Sequence, residues 1–115
     1  MAPDAIEHQR GLKGGIDGAR ETIRTLHEWC SDLELTIDDR VAQRDQVWLR
    51  ATGRGANTGS VFGRPPTGRR SEITPFDQVR FRDGRLVEHW GVPDQLGLLI
   101  QLGLFGRPEP APVAR

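Results

Sequence analysis

Tyrosine is absent from this chain of 115 residues, and cysteine, methionine and lysine occur once each, the lysine as Lys13. The lone Cys30 excludes an internal disulfide and a cysteine metal cluster, which fits a reducing compartment and a cytoplasmic protein. No apolar run approaches the roughly 20 residues of a membrane-spanning helix, and no basic-then-apolar leader opens the chain, so a soluble protein is expected. Net charge is missing too. Lys+Arg and Asp+Glu number 16 each and are interspersed, which gives no electrostatic ground for binding nucleic acid or a membrane surface. The preponderance of arginine reads as nucleotide-composition bias, not phosphate recognition. His8, His27 and His89 lack the paired spacing of a metal site, and Gly53-Arg54-Gly55 lacks a dinucleotide or phosphate-loop pattern. Neither a metal nor an organic cofactor is expected.

What is present suits one domain over residues 1–105, followed by a flexible Pro-rich tail over 106–115. Ile16, Ala19, Ile23, Leu26 and Trp29 recur at helical spacing and predict a helix from about Asp17 to Cys30, with Asp17 as its N-cap. Leu33, Leu35, Ile37 and Val41 alternate with Asp32, Glu34, Thr36 and Asp38, as in a half-buried strand, and Asp39 breaks the parity where a bulge is expected. Residues 46–54 read as its partner after a turn at Arg44-Asp45. The stretch Gly55 to Gly68 reads as loop, and strands over about 70–82 and 85–91 precede a helix from Asp94 to Leu102. A helix, then strands, then a terminal helix indicate α+β, with a curved antiparallel sheet wrapped round a helix.

Asp83-Gly84 is a strong two-residue hairpin signal, because a type I′ turn needs positive φ at both central positions. Counting outward from it pairs Phe81 with Leu86, Arg80 with Val87, Val79 with Glu88, Gln78 with His89 and Asp77 with Trp90. That register puts Gln78, Arg80, Val87 and His89 on one face and Val79, Phe81, Leu86, Trp90, Asp77 and Glu88 on the other. Asp94 follows at the mouth of the closing helix. Amide, guanidinium, imidazole and carboxylate are thereby expected to converge.

Several separated motifs carry a family resemblance: Gly55 with Thr58-Gly59, Gly63-Arg64-Pro65-Pro66-Thr67-Gly68-Arg69, Arg80-Phe81-Arg82-Asp83-Gly84, Glu88-His89-Trp90-Gly91-Val92-Pro93-Asp94, and Leu96-Gly97-Leu98-Leu99 with Gln101-Leu102-Gly103. From about Ile6 to Gly103 the chain resembles the SnoaL-like polyketide cyclases (ester cyclases) of the nuclear transport factor 2-like superfamily. The resemblance implies a cone-shaped sheet whose open end is a ligand pocket. It also implies helices ahead of Ile6 that cover the pocket mouth, and this sequence starts too late to have them. It further implies acid/base closure of a ring on a polyketide-like small molecule, with Asp94 as the acid/base. In the aldol cyclases a Gln-x-His lies on the penultimate strand, with the aspartate fourteen residues after the His. Gln78 and Asp94 are aligned with that pattern, with Arg80 where the His would be.

Each candidate has a plainer reading. Asp94 stands where an N-cap belongs. Arg80 cannot shuttle protons, but it can hold a carbonyl or carboxylate, or merely pair with Glu88 or Asp94. His89 has the right pKa range for proton transfer, yet a lone His on a sheet is often structural. His8 matches a pocket-lining His of relatives, and His27 reads as solvent-exposed. Asn57 stands where relatives carry a His and can donate to an enolate, or simply build a turn. Trp48, Trp90, Phe62 and Phe76 can wall an aromatic pocket or form core. The expectation is a cofactor-independent cyclase with Asp94, His89 and Arg80 catalytic, and with Gln78, Asn57, His8, Trp48, Trp90 and Phe62 binding substrate. An isomerase or epoxide hydrolase on the same pocket, and a non-catalytic small-molecule binder, are the alternatives. A symmetric homodimer is expected to cover the face bearing Val79, Phe81, Leu86 and Trp90.

Overall fold

Among the described residues, six strands and two helices occur in the order β1 (Ile6–Glu7), α1 (Gly15–Trp29), β2 (Glu34–Gln43), β3 (Gln46–Ala56), β4 (Arg70–Ile73), β5 (Phe76–Arg82), β6 (Arg85–Val92) and α2 (Gln95–Gln101). This is a computed structural model, and it describes residues 1–105; the Pro-rich tail expected beyond them lies outside the described residues. The strands form one curved, unclosed sheet in the order β1-β6-β5-β3-β2, with β4 also paired to β3. Only β1 on β6 is parallel. The α+β architecture is the expected one.

Local deviations from the expected elements have plain causes. The strand predicted over 70–82 is two strands, because Pro75 lacks an N–H and interrupts it; β4 and β5 then occupy successive stretches of the same side of β3. Ala51 keeps the junction closed by donating its N–H to the Pro75 carbonyl at 3.1 Å. Helix α1 starts two residues early, at Gly15, with Gly14 in the cap position, so Asp17 lies in the first turn and does not cap. The bulge expected near Asp39 is present between Ile37 and Asp39. It sends Leu35 and Ile37 to one face of the sheet and Val41 to the other.

The β5–β6 hairpin turns at Asp83 and Gly84, with φ of 51° and 76°, and pairs Arg82 with Arg85 and Phe81 with Leu86 as expected. A second bulge then intervenes. Arg80 opposes Glu88, Val79 opposes His89, Gln78 opposes Trp90 and Asp77 opposes Gly91, so Val87 is the extra residue. Unbulged pairing would have left Asp77 and Glu88 on the face of Val79, Phe81, Leu86 and Trp90. One added residue moves every later residue of β6 to the other face.

Helix α1 defines the inner face. The backbone N–H of Gly15 donates to the Ala5 carbonyl at 2.8 Å beside β1. At the other end, the Cys30 thiol lies directly over Gly55 of β3, where a Cβ would collide with it. Ala51, Gly53, Gly55 and Val79 are buried on this face, which Asp77 and His89 share by register. The outer face carries Val41, Trp48, Gln78 and Trp90 in one row, with Gln46, Arg80 and Glu88 in the next.

The buried core is small: Val61, Leu102 and Leu104, packed by Trp29, Leu98 and Leu99 where α2 meets the end of α1. On the inner face, Ile23, Leu35 and Ile37 remain more than half exposed. The Cα radius of gyration, 16.2 Å, exceeds the ~13 Å expected of a compact domain this size, so the molecule is elongated.

Candidate active site

The most constrained polar cluster lies on the inner face at the β1–β6–β5 junction. His89 of β6 sits between two carboxylates: its Nδ1 is 2.6 Å from Glu7 Oε2, and its Nε2 is 2.7 Å from Asp77 Oδ1. Parallel pairing of Glu7 with His89 brings in the first carboxylate, and the bulged register of β5 on β6 brings in the second. All three side chains are half-buried, at 15% (Glu7), 19% (His89) and 25% (Asp77) exposure.

A neutral imidazole has one N–H and one lone pair, so it cannot donate to both carboxylates. The arrangement calls for an imidazolium or for a proton held on one carboxyl. The hydrogen bond to Asp77 raises the His89 pKa above its ordinary 6.5, and Glu7 adds to this; burial pushes the other way. The cluster can therefore hold one proton between carboxylates on a sheltered sheet face, which is what acid–base chemistry requires.

The two carboxylates are engaged differently. Glu7 Oε2 also accepts the backbone N–H of Gln9 at 3.0 Å, whereas Asp77 has no partner beyond His89 among the described residues. Gly91, opposite Asp77, closes the arrangement. A Cβ there would lie 2.7 Å from Asp77 Oδ1 and 2.8 Å from His89 Cε1, and against the Gln9 side-chain oxygen. Glycine lets these side-chain ends meet without any of them turning aside.

A shallow apolar recess with room for about 60 Å³ lies beside α1 and is lined by Leu26, Trp29, Leu33, Gly53, Ile73 and Leu98 among others. The titratable cluster is not among its lining residues. It occupies another part of the same inner face.

The remaining sequence-predicted residues divide by face. Gln78 and Arg80 point outward, opposite in sense to His89, which corrects the expected grouping of the three. Gln78 hydrogen-bonds to Gln46. Arg80 pairs with Glu88 at 3.2 Å and Asp45 at 3.5 Å, and lies 5.9 Å from the Trp90 ring centroid; its Nε–H is not aimed at the Glu88 carboxylate. His8 is outward as well, stacked on Trp90 at 4.6 Å and bonded to Glu88 at 2.6 Å. Trp48 lies in the outer row and is 52% exposed. Val79 is buried on the inner face while Trp90 is on the outer one, so these two do not share the apolar face expected of them.

Asp94 caps α2 by accepting the Gly97 N–H at 3.0 Å, is exposed, and makes no hydrogen bond or ion pair with Gln78, Arg80 or His89. In the observed register, the residues fourteen apart that face each other across the hairpin are Asp77 and Gly91, not Arg80 and Asp94. Asn57 is buried and fully engaged: its amide donates to the Trp29 and Gly59 carbonyls, and its oxygen accepts from the N–H and hydroxyl of Thr67. Phe62 lies edge-on to Trp29 at 5.2 Å. His27 donates from Nδ1 to the Ile23 carbonyl of its own helix at 3.0 Å. Burial and the hydrogen bond to Asp32 push the Cys30 thiol pKa up, away from a reactive thiolate.

Glu7 and Asp77 are the residues that sequence reasoning missed. Asp77 left a signal: it is an acid on the apolar face of Val79 and Phe81, where it needs a partner, and the β6 bulge moves Glu88 off that face and brings His89 onto it. Glu7 left none, because a two-residue parallel strand has no pattern to read.

Comparison with known proteins gives a consistent picture. The family model described as SnoaL-like polyketide cyclase matches residues 1–102. The chain is 30% identical over 114 residues to aklanonic acid methyl ester cyclase DnrD of Streptomyces peucetius, covering 97% of this chain and 75% of that protein. It is equally identical to the cyclase of the same name, DauD, from Streptomyces sp. strain C5, covering 68% of that protein. The solved structure of TsrD from Streptomyces laurentii superposes with a TM-score of 0.82 at 35% identity, covering 90% of this chain and 77% of that one.

Proposed function

Because the chain belongs to the SnoaL-like polyketide cyclase family, we propose that it closes a carbon ring on a polyketide-like carbonyl compound by acid–base catalysis, without a metal or organic cofactor. The observation that carries this reading is His89 held between Glu7 and Asp77 on the inner face. An intramolecular aldol closure takes a proton from a carbon beside one carbonyl and returns one to the oxygen of another. No electrons enter or leave, so a group that holds and releases one proton suffices. Half-burial shelters the cluster from bulk water.

Asp94 takes the capping role in this reading, and Arg80, Gln78, His8 and Trp48 belong to the outer face. The enzyme works as a homodimer through that outer face, where Val41 (64%), Trp48 (52%), Phe76 (56%) and Val92 (72%) stand exposed.

The test is incubation of purified, metal-stripped protein with aklanonic acid methyl ester, the compound named for the curated relatives. An isomeric product of unchanged mass, formed only with enzyme, is expected. Dependence on a restored metal or an added coenzyme would overturn the cofactor-free mechanism.

A further inference from the structure

Within the His89 cluster the two carboxylates are not equivalent, and the difference assigns them separate work. Glu7 Oε2 is held by the His89 ring and by the Gln9 N–H together. That second anchor, which Asp77 lacks among the described residues, suits a group that orients the imidazole. Asp77 touches the ring through Oδ1, is the more exposed of the two, and has no anchor besides the ring among the described residues; its Oδ2 is open there, as is Glu7 Oε1. It faces Gly91 across the hairpin, where a Cβ would press on Asp77 Oδ1, His89 Cε1 and the Gln9 amide oxygen.

We propose that Asp77 is the carboxylate that moves the proton, that Glu7 positions His89, and that the absence of a side chain at Gly91 leaves the Asp77 carboxylate its room beside the imidazole. This rests on the cyclase reading above. The step balances on one group. Asp77 Oδ2 takes the proton from carbon; the enolate so formed attacks the second carbonyl carbon and makes the new C–C bond. The oxygen of that carbonyl, now an alkoxide, takes the proton back from Asp77. His89 stays protonated throughout. It fixes Oδ1 and keeps positive charge beside the developing oxyanion.

The geometry also says where the carboxylate can be relocated. A Cβ at residue 91 starts 2.7 Å from Asp77 Oδ1, so once residue 77 is cut back and the ends of Gln9 and His89 turn slightly aside, an aspartate borne there can reach the same place. Four variants therefore test the assignment on aklanonic acid methyl ester: Asp77→Asn, Asp77→Ser, Glu7→Gln, and Asp77→Ser combined with Gly91→Asp. Asp77→Asn is expected to lower kcat by about 10²–10⁴-fold with KM little changed. Glu7→Gln is expected to keep kcat within about tenfold while shifting the pH–rate profile, because it removes one support of the imidazolium. The combined variant is expected to recover at least about tenfold over Asp77→Ser alone.

Imidazole ¹⁵N shifts of His89 check that Asp77→Asn keeps the folded cluster, with Nδ1 still protonated towards Glu7. A folded Asp77→Asn within a few-fold of wild type overturns the assignment and leaves the cyclase reading standing. So does Glu7→Gln falling as far as Asp77→Asn with an unshifted profile. An inactive wild type sinks the cyclase reading itself, and the assignment with it.

Discussion

His89 shows how much chemistry one register shift creates. In unbulged pairing it would oppose Gln78; one residue further on, it lies between two carboxylates. Its pKa is raised in the folded state, so its pairing stabilises the fold fully below the unfolded value of 6.5 and loses that contribution as pH rises through the folded value. The charged groups facing it from the packed elements are Glu7 on β1 and Asp77 on β5; Glu88, His8 and Arg80 lie on the other side of the sheet. Stability measured by chemical denaturation is therefore expected to be higher near about pH 6 than near about pH 9, and His89→Gln is expected to flatten that slope. A wild-type slope that survives His89→Gln would assign the pH dependence to another group.

At the scale of elements, α2 is seven residues long and depends on its cap. Asp94→Ala removes the acceptor for the Gly97 N–H and is expected to cost about 1 kcal/mol in thermal unfolding, whereas Asp94→Asn is expected to cost only a few tenths. Equal costs for the two would show that the carboxylate does something besides capping. The elements themselves were legible: α1, the β2–β3 hairpin with its bulge at Asp39, the Asp83-Gly84 turn and α2 all follow from periodicity and turn chemistry. What was not legible is what depends on pairing. The bulge at Arg80/Phe81 is set by which face must take Glu88 and His89, a choice made by the whole sheet. The parallel pairing of Glu7 with His89 joins residues 82 positions apart. The fold could be read from local pattern; half of the candidate site could not, because it is assembled by tertiary register.

At the scale of the molecule, two polar clusters lie back to back through one thin sheet. Glu7, His89 and Asp77 are inside; His8, Glu88, Arg80 and Asp45 are outside with Trp90 among them. The outer rows leave Val41, Trp48, Phe76 and Val92 exposed, more apolar surface than a monomer usually shows. Sedimentation equilibrium at micromolar concentration is expected to return twice the mass of the 12.8 kDa chain, and Trp48→Lys is expected to shift it towards monomer. A wild-type monomer under those conditions would remove the outer face as an interface. The central claim is that catalysis belongs to the inner cluster and not to Asp94. Its most direct measurement is a side-by-side comparison of His89→Gln and Asp94→Asn, both folded, for turnover of aklanonic acid methyl ester. The account predicts a loss of at least about 10²-fold for His89→Gln and near wild-type turnover for Asp94→Asn; the opposite ranking would contradict it.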